Sequence, residues 1–271
     1  MFGSVSIPEP LRIHTLYTAF ASRFARDYTF VGERHNFWEL VIVLEGELGV
    51  TAGGKVLTLS AGQAILHPPM EFHRLWSEGN RSPHAVIVSF GATGLHPGEN
   101  RVYSFSDLQL PLALLTQIRQ YFFIDDGLNV TGIREGCVLQ AQKAVKQLEL
   151  FLLELLSQTP MHSPSLSRSA QNYARIVAVL EDNLHKSVCV AQIAALCNMS
   201  PVHLKQTFSR YAGIGVMNYF NRMKISAAIQ MLQQGMTVQE TAACLGFSNQ
   251  NYFSTVFKRI TGAPPSRYRQ S

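Results

Sequence analysis

The N-terminal third of the chain alternates short apolar runs with turn residues. The runs occupy residues 40–44, 46–50, 56–59 and 85–90, and Gly53-Gly54, Gly62 and Pro68-Pro69 lie between them. Glycine accepts unusual backbone angles and proline cannot donate to a sheet, so these residues form turns and end strands. Residues 28–90 therefore predict a small sandwich or barrel of short strands.

A helical period replaces this pattern after residue 108. Apolar residues then recur at steps of three and four: Val138, Ala141, Val145, Leu148, Leu152 and Leu155. This spacing places them on one face of a helix. Two partners for that face remain open, namely the chain's own β domain and a second copy in a coiled-coil-like dimer. We interpret residues 108–157 as a helical dimerisation segment and expect a homodimer.

A segment rich in serine and proline follows the helical pattern. Residues 158–169 contain two prolines and few apolar side chains, so they cannot form a packed element. The predicted organisation is a β domain over 1–107, the helical segment over 108–157, a linker over 158–169 and a helical domain over 170–271. The expected fold class is α+β with two domains.

The helical domain contains one pattern twice. Val190, Ala194, Leu204, Phe208 and Gly213 have counterparts in Val238, Ala242, Phe253, Phe257 and Gly262. The first two pairs are 48 residues apart and the other three are 49 apart, so the second copy has one extra residue in its turn. Each copy predicts a helix, a tight turn and a second helix, which is the helix-turn-helix arrangement of DNA-binding proteins.

The second helix of each copy presents a polar face. Leu204 and Phe208 are four residues apart and must point inward, which leaves the opposite face exposed. Glutamine and asparagine near the start of such a helix can pair with adenine and lysine with guanine, whereas later basic residues suit phosphates. The predicted DNA-binding residues are Val202, His203, Lys205, Gln206 and Arg210 in the first copy, and Asn249, Gln250, Asn251, Ser254, Thr255, Lys258 and Arg259 in the second.

Local signals define the ends of these helices. Ser200 before Pro201 predicts a helix start, Thr237 with Glu240 predicts a capping box, and Gly246 suits the turn of the second copy. Residues 216–234 contain no proline and predict one continuous connecting helix. At about 1.5 Å per residue its length is roughly 28 Å, near the roughly 34 Å between successive major-groove faces of DNA. One chain could therefore occupy two adjacent grooves.

Charge is concentrated in the same part of the chain. The net charge is +5, and residues 169–271 hold ten basic against three acidic side chains. A basic domain attracts the phosphate backbone, although an acidic protein or a membrane surface would also suit it. The chain has no apolar run of about 18 residues, and its first residues do not resemble a signal peptide. We expect a cytoplasmic protein with no membrane partner that binds double-stranded promoter DNA.

The C-terminal hundred residues resemble the AraC/XylS family of transcription regulators. The resemblance covers residues 170–271 and includes the family signature at Gly262, Pro265, Tyr268 and Arg269. It implies that bases are read by Val202, Lys205 and Gln206, and by Gln250, Asn251, Ser254 and Thr255. Thr241 and Thr255 depart from the family pattern, which often has isoleucine and a basic residue there. We therefore expect the first copy to contribute more to specificity.

The N-terminal domain resembles the cupin barrels that often bind small effectors in this family. Glu33, His35, Glu39 and Gly46 follow the first cupin motif, with Glu33 replacing its first histidine, and Gly62, Pro68 and His73 follow the second. The expected effector-binding residues are His35, Trp38, Glu39 and His73, with Trp76 as a second aromatic wall. The set Glu33, His35, Glu39 and His73 could hold a divalent metal. Because Glu33 replaces a histidine, we predict no metal cofactor.

These features predict a sequence-specific transcription regulator that responds to a small-molecule effector and is not an enzyme. A sugar is the effector class suggested by the family and by the two tryptophans. As an activator, such a protein would also contact RNA polymerase. One alternative is a metal-dependent cupin enzyme or metal sensor with a DNA-binding tail. Another is a regulator whose barrel serves dimerisation alone.

Overall fold

The protein consists of two compact units, the first rich in β-structure and the second helical. A computed structural model describes residues 11–30, 32–52, 54–79, 81–96, 101–158 and 168–269. The α+β class predicted from the sequence is confirmed. The predicted linker lies mostly on residues 159–167, outside these ranges, as does Gly53 of the predicted hairpin. Over the described ranges, the helices fall short of the length and apolarity that crossing a membrane requires.

Eight strands of the first unit form two sheets. They are β1 (Arg12–Arg23), β2 (Trp38–Glu45), β3 (Glu47–Ala52), β4 (Lys55–Ser60), β5 (Gln63–His67), β6 (Arg74–Ser77), β7 (His84–Thr93) and β8 (Val102–Ser104). The larger sheet has the order β1-β7-β2-β5-β8 and the smaller one β4-β3-β6. Side chains of both sheets meet in one apolar interior, which we call the barrel interior.

Strand β2 shows how alternate positions serve two cores. Val41 and Val43 point into the barrel interior, where they share a cluster with Leu48 and Leu75 of the smaller sheet. Their neighbours, such as Leu40, belong to a second cluster formed with helices on the outer face of the larger sheet. Successive side chains of a strand alternate between faces. The odd-numbered positions of β2 therefore line the barrel interior.

Half of the strands carry no clear sequence signal. Strand β1 pairs with β7, but its register shifts between Ile13 and Thr15 and again between Leu16 and Thr18. Each shift is a bulge, which adds one residue and interrupts the alternation of apolar and polar positions. Strands β5, β6 and β8 have only five, four and three residues, too few to establish a period.

A β-hairpin interrupts the predicted helical segment. The segment contains α1 (Leu110–Tyr121), β9 (Phe122–Ile124), β10 (Val130–Ile133) and α2 (Val138–Leu156). The Asp125 carboxylate accepts a hydrogen bond from the Asn129 backbone N–H at 2.8 Å and closes the turn between β9 and β10. Such aspartate-to-backbone bonds favour turns over helix. The segment is therefore two helices joined by a hairpin.

The apolar seam of α2 packs on its own sheet. Ala141, Leu148, Leu152 and Leu155 are buried in the cluster that includes α1 and the outer face of the larger sheet. Of the six seam residues, only Val138, at the start of the helix, is not part of this cluster, and 54% of its surface is exposed. Of the two partners considered for the seam, the β domain is the one that buries it.

The second unit consists of short helices. They are α3 (Arg168–Asp182), α4 (Val190–Leu196), α5 (Pro201–Ala212), α6 (Val216–Gln233), α7 (Val238–Cys244) and α8 (Gln250–Thr261), followed by a 3₁₀ turn (Pro265–Tyr268). The connecting helix α6 has 18 residues, a length of about 27 Å. Helices α4 and α5 form the first helix-turn-helix, and α7 and α8 form the second.

Candidate DNA-binding helices and effector site

The first helix-turn-helix is fixed by a cap and by two buried anchors. The Ser200 hydroxyl accepts a hydrogen bond from the His203 N–H at 3.2 Å, which starts α5 as predicted. Leu204 and Phe208 are fully buried. The opposite face carries the five predicted DNA-binding residues of this copy, Val202, His203, Lys205, Gln206 and Arg210, all exposed. Val202 is 64% exposed although it is apolar, which suits contact with a thymine methyl group.

The second helix-turn-helix repeats this construction. Thr237 and Glu240 form the predicted capping box at the start of α7, and Phe253 and Phe257 are fully buried under α8. The predicted residues Gln250, Asn251, Thr255, Lys258 and Arg259 are exposed, and Ser254 is half-buried. Asn249 has a different task, because its side-chain oxygen accepts a hydrogen bond from the Tyr252 N–H at 2.8 Å and caps α8.

Three exposed side chains near these helices were absent from the sequence prediction. Tyr252 is 50% exposed in the first turn of α8 and occupies the position of His203 in the repeat. Because His203 was predicted to bind DNA, its counterpart Tyr252 could have been predicted from the repeat as well. Arg267 and Arg269 are exposed and follow α8 in the chain. All three side chains have the chemistry for phosphate contacts.

A buried lysine joins the connecting helix to the second motif. Lys224 of α6 is 4% exposed. Its Nζ donates to the Lys186 carbonyl at 2.7 Å and to the Leu245 carbonyl at 2.6 Å, and it lies 4.7 Å from the Phe220 ring centre. Burial lowers the pKa of Lys224 to about 8. The lysine therefore holds the turn between α7 and α8 against the segment that follows α3.

Gly246 completes that turn. Its φ is +64°, and a Cβ at this position would lie 2.7 Å from the His185 carbonyl oxygen. The close approach places Nδ1 of the His185 ring 3.0 Å from the Cys244 carbonyl oxygen. Only glycine combines this backbone angle with this spacing. The predicted role of Gly246 in the turn is thus explained by a contact distant in sequence.

Four titratable side chains meet at one end of the barrel interior. Glu39 lies on β2, His35 shortly before it, and Glu33 and His73 face each other across an isolated antiparallel bridge. We call these four residues the barrel cluster. Their potential ligand atoms all lie within 4.8 Å of one another. The spacing of the sequence motifs thus brings together Glu33, His35, Glu39 and His73.

Glu39 is the centre of the barrel cluster. Its Oε1 lies 3.1 Å from His73 Nε2 and its Oε2 lies 3.6 Å from His35 Nε2. Burial opposes the charge of Glu39, but its contacts with His35 and His73 outweigh burial and hold the pKa of the carboxyl below its ordinary value. Burial, followed by repulsion from Glu39, raises the pKa of the Glu33 carboxyl. Burial opposes the charge of His73, but its contact with Glu39 outweighs burial and raises the pKa of the imidazole. The barrel cluster therefore pairs the buried Glu39 carboxylate with His73, while Glu33 is exposed.

The imidazoles near Glu39 are held through their Nδ1 atoms. His35 Nδ1 lies 3.0 Å from the Phe37 carbonyl oxygen and His73 Nδ1 lies 3.2 Å from that of Glu71. Within the described chain, the buried Nε2 atoms of His35, His67 and His73 make no hydrogen bond, and those of His35 and His73 lie 3.6 Å and 3.1 Å from the Glu39 carboxylate. A backbone carbonyl that holds Nδ1–H leaves Nε2 as a lone pair, the arrangement found in metal-binding histidines.

His67 stands beside the barrel cluster and presents an acceptor. Its Nδ1 lies 3.0 Å from Glu71 Oε2, and Arg101 donates to Glu71 Oε1 at 2.6 Å. The ring stacks on His73 with centroids 4.3 Å apart. Burial lowers the pKa of His67 to about 4, so the ring is neutral. Because Glu71 holds the N–H at Nδ1, the Nε2 of His67 is a hydrogen-bond acceptor.

The two tryptophans do not join the barrel cluster. Trp38 precedes Glu39 on β2 and packs against the outer core with the helices, so it faces away from the barrel interior. Trp76 follows the interior residue Leu75, and its ring lies over Gly49 on the other face of the smaller sheet. Adjacent strand residues point to opposite faces. The prediction that Trp38 binds an effector together with Glu39 is therefore corrected, and so is the aromatic wall with Trp76.

Two domain families match this chain. Residues 193–271 match a helix-turn-helix domain and residues 27–90 match a cupin domain. The first match contains α5 to α8, and the second contains the whole barrel cluster. An AraC-type helix-turn-helix domain combined with a cupin domain is the arrangement of the AraC-family regulators to which this chain is similar. The resemblance stated from the repeat and the signature residues is confirmed.

Relatives of this regulator match it over different lengths. The transcriptional activator RhaS of Salmonella typhimurium is 26% identical over 254 residues, which cover 89% of this chain and 88% of RhaS. The bifunctional transcriptional activator/DNA repair enzyme AdaA of Bacillus subtilis is 31% identical over 96 residues, which cover 35% of this chain and only 46% of AdaA. Among solved structures, ToxT of Vibrio cholerae aligns with 94% of this chain and 96% of its own at 13% identity, with a TM-score of 0.37.

Proposed function

We propose that this AraC-type regulator recognises promoter DNA through α5 and α8 and responds to a small molecule bound at the barrel cluster. The observation that carries the proposal is the exposed polar face that each helix presents opposite its buried anchors. Lys205, Gln206 and Asn251 supply side chains that can read base edges. Arg210, Lys258 and Arg259 lie one turn or more later and suit phosphates. The barrel cluster supplies the site for the effector.

Binding selectivity tests this proposal. Fluorescence anisotropy should compare fragments of the promoter next to the gene for this chain with scrambled fragments of equal length. Specific sites are typically bound about 10³-fold or more tightly than other DNA, and both affinities fall steeply with salt. Equal affinity for the promoter and scrambled fragments over the full salt range would refute sequence-specific recognition.

The polar content of the barrel cluster supports a sensing role rather than a structural one. Glu39 and His73 are buried beside the apolar residues of the barrel interior, together with the polar side chains of His67 and Ser89. Burying charged groups costs free energy unless they are paired or bind a ligand. We infer that the first unit serves regulation and not catalysis, in line with the transcriptional activators to which the chain is similar. Sugars and other small hydroxyl compounds are the first ligands to test, because Glu39 and His67 Nε2 are hydrogen-bond acceptors.

A divalent transition metal is a second candidate ligand. The Nε2 atoms of His35 and His73, with the carboxylates of Glu33 and Glu39, form a mixed set of four ligands. Ligand atoms about 2.1 Å from a tetrahedral ion are roughly 3.4 Å apart. The ligand atoms of the barrel cluster lie within 4.8 Å of one another, so a small inward movement of these side chains would form the coordination shell. A bound ion would tie together side chains from separate segments. The structure thus favours a metal more than the sequence did.

Calorimetry with Zn²⁺ tests the metal candidate. We expect one ion per metal-stripped chain, and we expect His73→Ala and Glu39→Gln to weaken binding by about 100-fold or more, because each removes a direct ligand. His84→Ala is the matched control, since His84 lies in the same unit at the far end of β7. Binding that is as tight in His73→Ala as in the unchanged chain would contradict a metal at this site.

A second copy of the chain is the partner that we propose for the exposed face of α2. Leu139, Leu150 and Leu153 are 76%, 56% and 50% exposed and lie within about one-sixth of a turn of one another. Exposed leucines on one helix face are typical of helix–helix interfaces. This face is distinct from the buried seam, so the predicted homodimer would use other residues than those named from the sequence. A dimer that activates transcription would also meet RNA polymerase.

Charge substitutions on this face test the dimer. Leu150→Lys with Leu153→Lys should convert the dimer to a monomer in light scattering after size exclusion, because burial of two lysines is costly. Leu196→Lys is the matched control, since Leu196 is 55% exposed but lies in the helical unit. A dimer that persists in the double variant would rule out this face.

A further inference from the structure

Two chains of side-chain contacts lead from the barrel cluster to the same point of β1. One begins at Glu39 and passes through hydroxyl groups. The Ser89 hydroxyl donates to Glu39 Oε2 at 3.1 Å, and the Thr18 hydroxyl donates to Ser89 Oγ at 2.8 Å. Ser89 pairs with Glu39 in one direction and with Thr18 in the other, so all three side chains share the barrel face of the larger sheet.

The other chain begins at His35 and passes through stacked rings. His35 stacks on Phe37 with centroids 3.8 Å apart and an interplanar angle of 7°. Phe37 stacks in turn on Tyr17 with centroids 4.2 Å apart. Tyr17 and Thr18 are consecutive residues of β1. Two members of the barrel cluster therefore contact, through one intermediate each, adjacent positions of a single strand.

Tyr17 and Thr18 lie at an irregular point of that strand. Leu16 pairs with Phe90 and Thr18 pairs with Ser89, so Tyr17 is the extra residue of a bulge. A bulge interrupts the pairing of a strand, and a shift of the pairing by one residue would turn the side chains beyond it to the other face of the sheet. The bulge is thus an element that a ligand could bias.

Thr18 also touches the hairpin between α1 and α2. It forms an isolated antiparallel bridge with Asn129, which the Asp125 carboxylate holds in the turn. The hairpin continues directly from the end of α1 at Tyr121, and the Arg134 N–H donates to the Tyr121 carbonyl at its base. A shift at Thr18 would therefore be passed to the segment that positions both helices.

We propose that Tyr17 and Thr18 couple the barrel cluster to the β9–β10 hairpin, so that occupancy of the cluster changes the order of the hairpin and of the helices beside it. This inference rests on the proposed function of the barrel cluster. Ser89 and Phe37 are positioning residues, because each acts through its neighbours. A ligand that draws the Glu39 carboxylate away from Ser89 favours one pairing of the strand at the bulge over the other, which is the differential interaction that any switch requires.

Hydrogen exchange of the full chain, measured by mass spectrometry without DNA or effector, tests the coupling. Glu39→Gln and Ser89→Ala should each speed exchange of residues 122–133 by about 5-fold or more, the lower range of allosteric coupling. The double variant should exceed neither single variant, because both changes break the same chain of contacts. Phe37→Leu breaks the ring stack separately and should also speed exchange of this segment.

Glu71→Gln is the matched control. Glu71 is a mostly buried carboxylate whose partners are His67 and Arg101, and its side chain reaches Glu39 only through the stacked rings of His67 and His73. Its substitution should leave the hairpin unchanged. The proposal is overturned if Glu39→Gln leaves hairpin exchange at the wild-type rate, if Glu71→Gln has the same effect, or if the double variant is additive.

Global destabilisation has its own signature in this experiment. Faster exchange of β3, on the other sheet, would show that Glu39→Gln destabilises the whole unit. The variant Phe37→Leu then decides the outcome, because Phe37 is half-buried and lies outside the core clusters. In that case an unchanged hairpin in Phe37→Leu overturns the proposal. Failure of the regulator function would show instead as loss of promoter selectivity, which exchange in the free protein does not measure.

Discussion

Replacing Lys224 by methionine is expected to destabilise the helical unit by about 2–4 kcal/mol. Methionine keeps the length of the aliphatic stem but cannot donate to the carbonyls of Lys186 and Leu245. Both oxygens would then lack the donor that satisfies them in a site where Lys224 itself is 4% exposed. The midpoint of thermal unfolding followed by circular dichroism at 222 nm should fall by roughly 10 °C or more.

Two comparisons isolate this effect. Lys258→Met removes an exposed lysine from α8 and should leave the midpoint within about 2 °C. Both tryptophans lie in the β-rich unit, so their fluorescence gives an internal reference for the variant. If Lys224→Met unfolds at the wild-type midpoint, the two carbonyl contacts do not stabilise the second motif.

The Lys224 site should also give stability a distinct pH dependence. Burial lowers the pKa of Lys224 from 10.5 to about 8. Between these values the unfolded chain binds more protons than the folded chain, so stability rises with pH over that window. The wild-type unit should therefore gain stability relative to Lys224→Met from about pH 8 to about pH 10. Parallel pH profiles of the two proteins would show that the lysine is not desolvated.

Removing a base-reading side chain of α5 is expected to reduce selectivity for the promoter. Lys205→Ala and Gln206→Ala should each weaken binding to the specific promoter by about 1–3 kcal/mol, or roughly 5- to 150-fold, and should affect scrambled DNA much less. Both side chains are exposed on the face opposite Leu204 and Phe208, so the fold of the unit should not change. Anisotropy titrations on both DNA types measure the difference.

Arg210→Ala is the contrast to these variants. Arg210 lies later on the same face and is expected to contact phosphate, so its loss should weaken specific and scrambled DNA alike and reduce the salt slope by about 1. Circular dichroism confirms that each variant is folded. If Lys205→Ala and Arg210→Ala lower both affinities to the same extent, α5 contacts the backbone without reading bases.

The helix-turn-helix elements could be predicted because their determinants are local. Ser200 caps α5 through a bond to His203, three residues away, and the inward pair Leu204 and Phe208 is set by helical spacing. The buried pair Leu204 and Phe208 leaves Gln206 exposed. In the second copy, Phe253 and Phe257 leave Asn251 exposed in the same way. Asn249 caps α8 in the same local way, through a bond to the Tyr252 N–H three residues away.

Features that depend on distant contacts could not be predicted in the same way. Lys224 stands between Met223 and Ile225, and its burial depends on carbonyls 38 and 21 residues away. The face of Trp38 depends on strand register, since a shift of one residue would have turned it into the barrel interior. The bulge at Tyr17 erased the alternation that would have marked β1. The motif spacing nevertheless located the barrel cluster, because each half lies within a short stretch of chain.

Hydroxyl-radical footprinting of the promoter tests the central claim most directly. Two recognition helices joined by α6, which is about 27 Å long, should protect two patches on one side of the duplex, about 10 base pairs apart. Gln206→Ala should weaken one patch and Asn251→Ala the other. A single patch, or the loss of the same patch in both variants, would contradict recognition of adjacent grooves by two motifs of one chain.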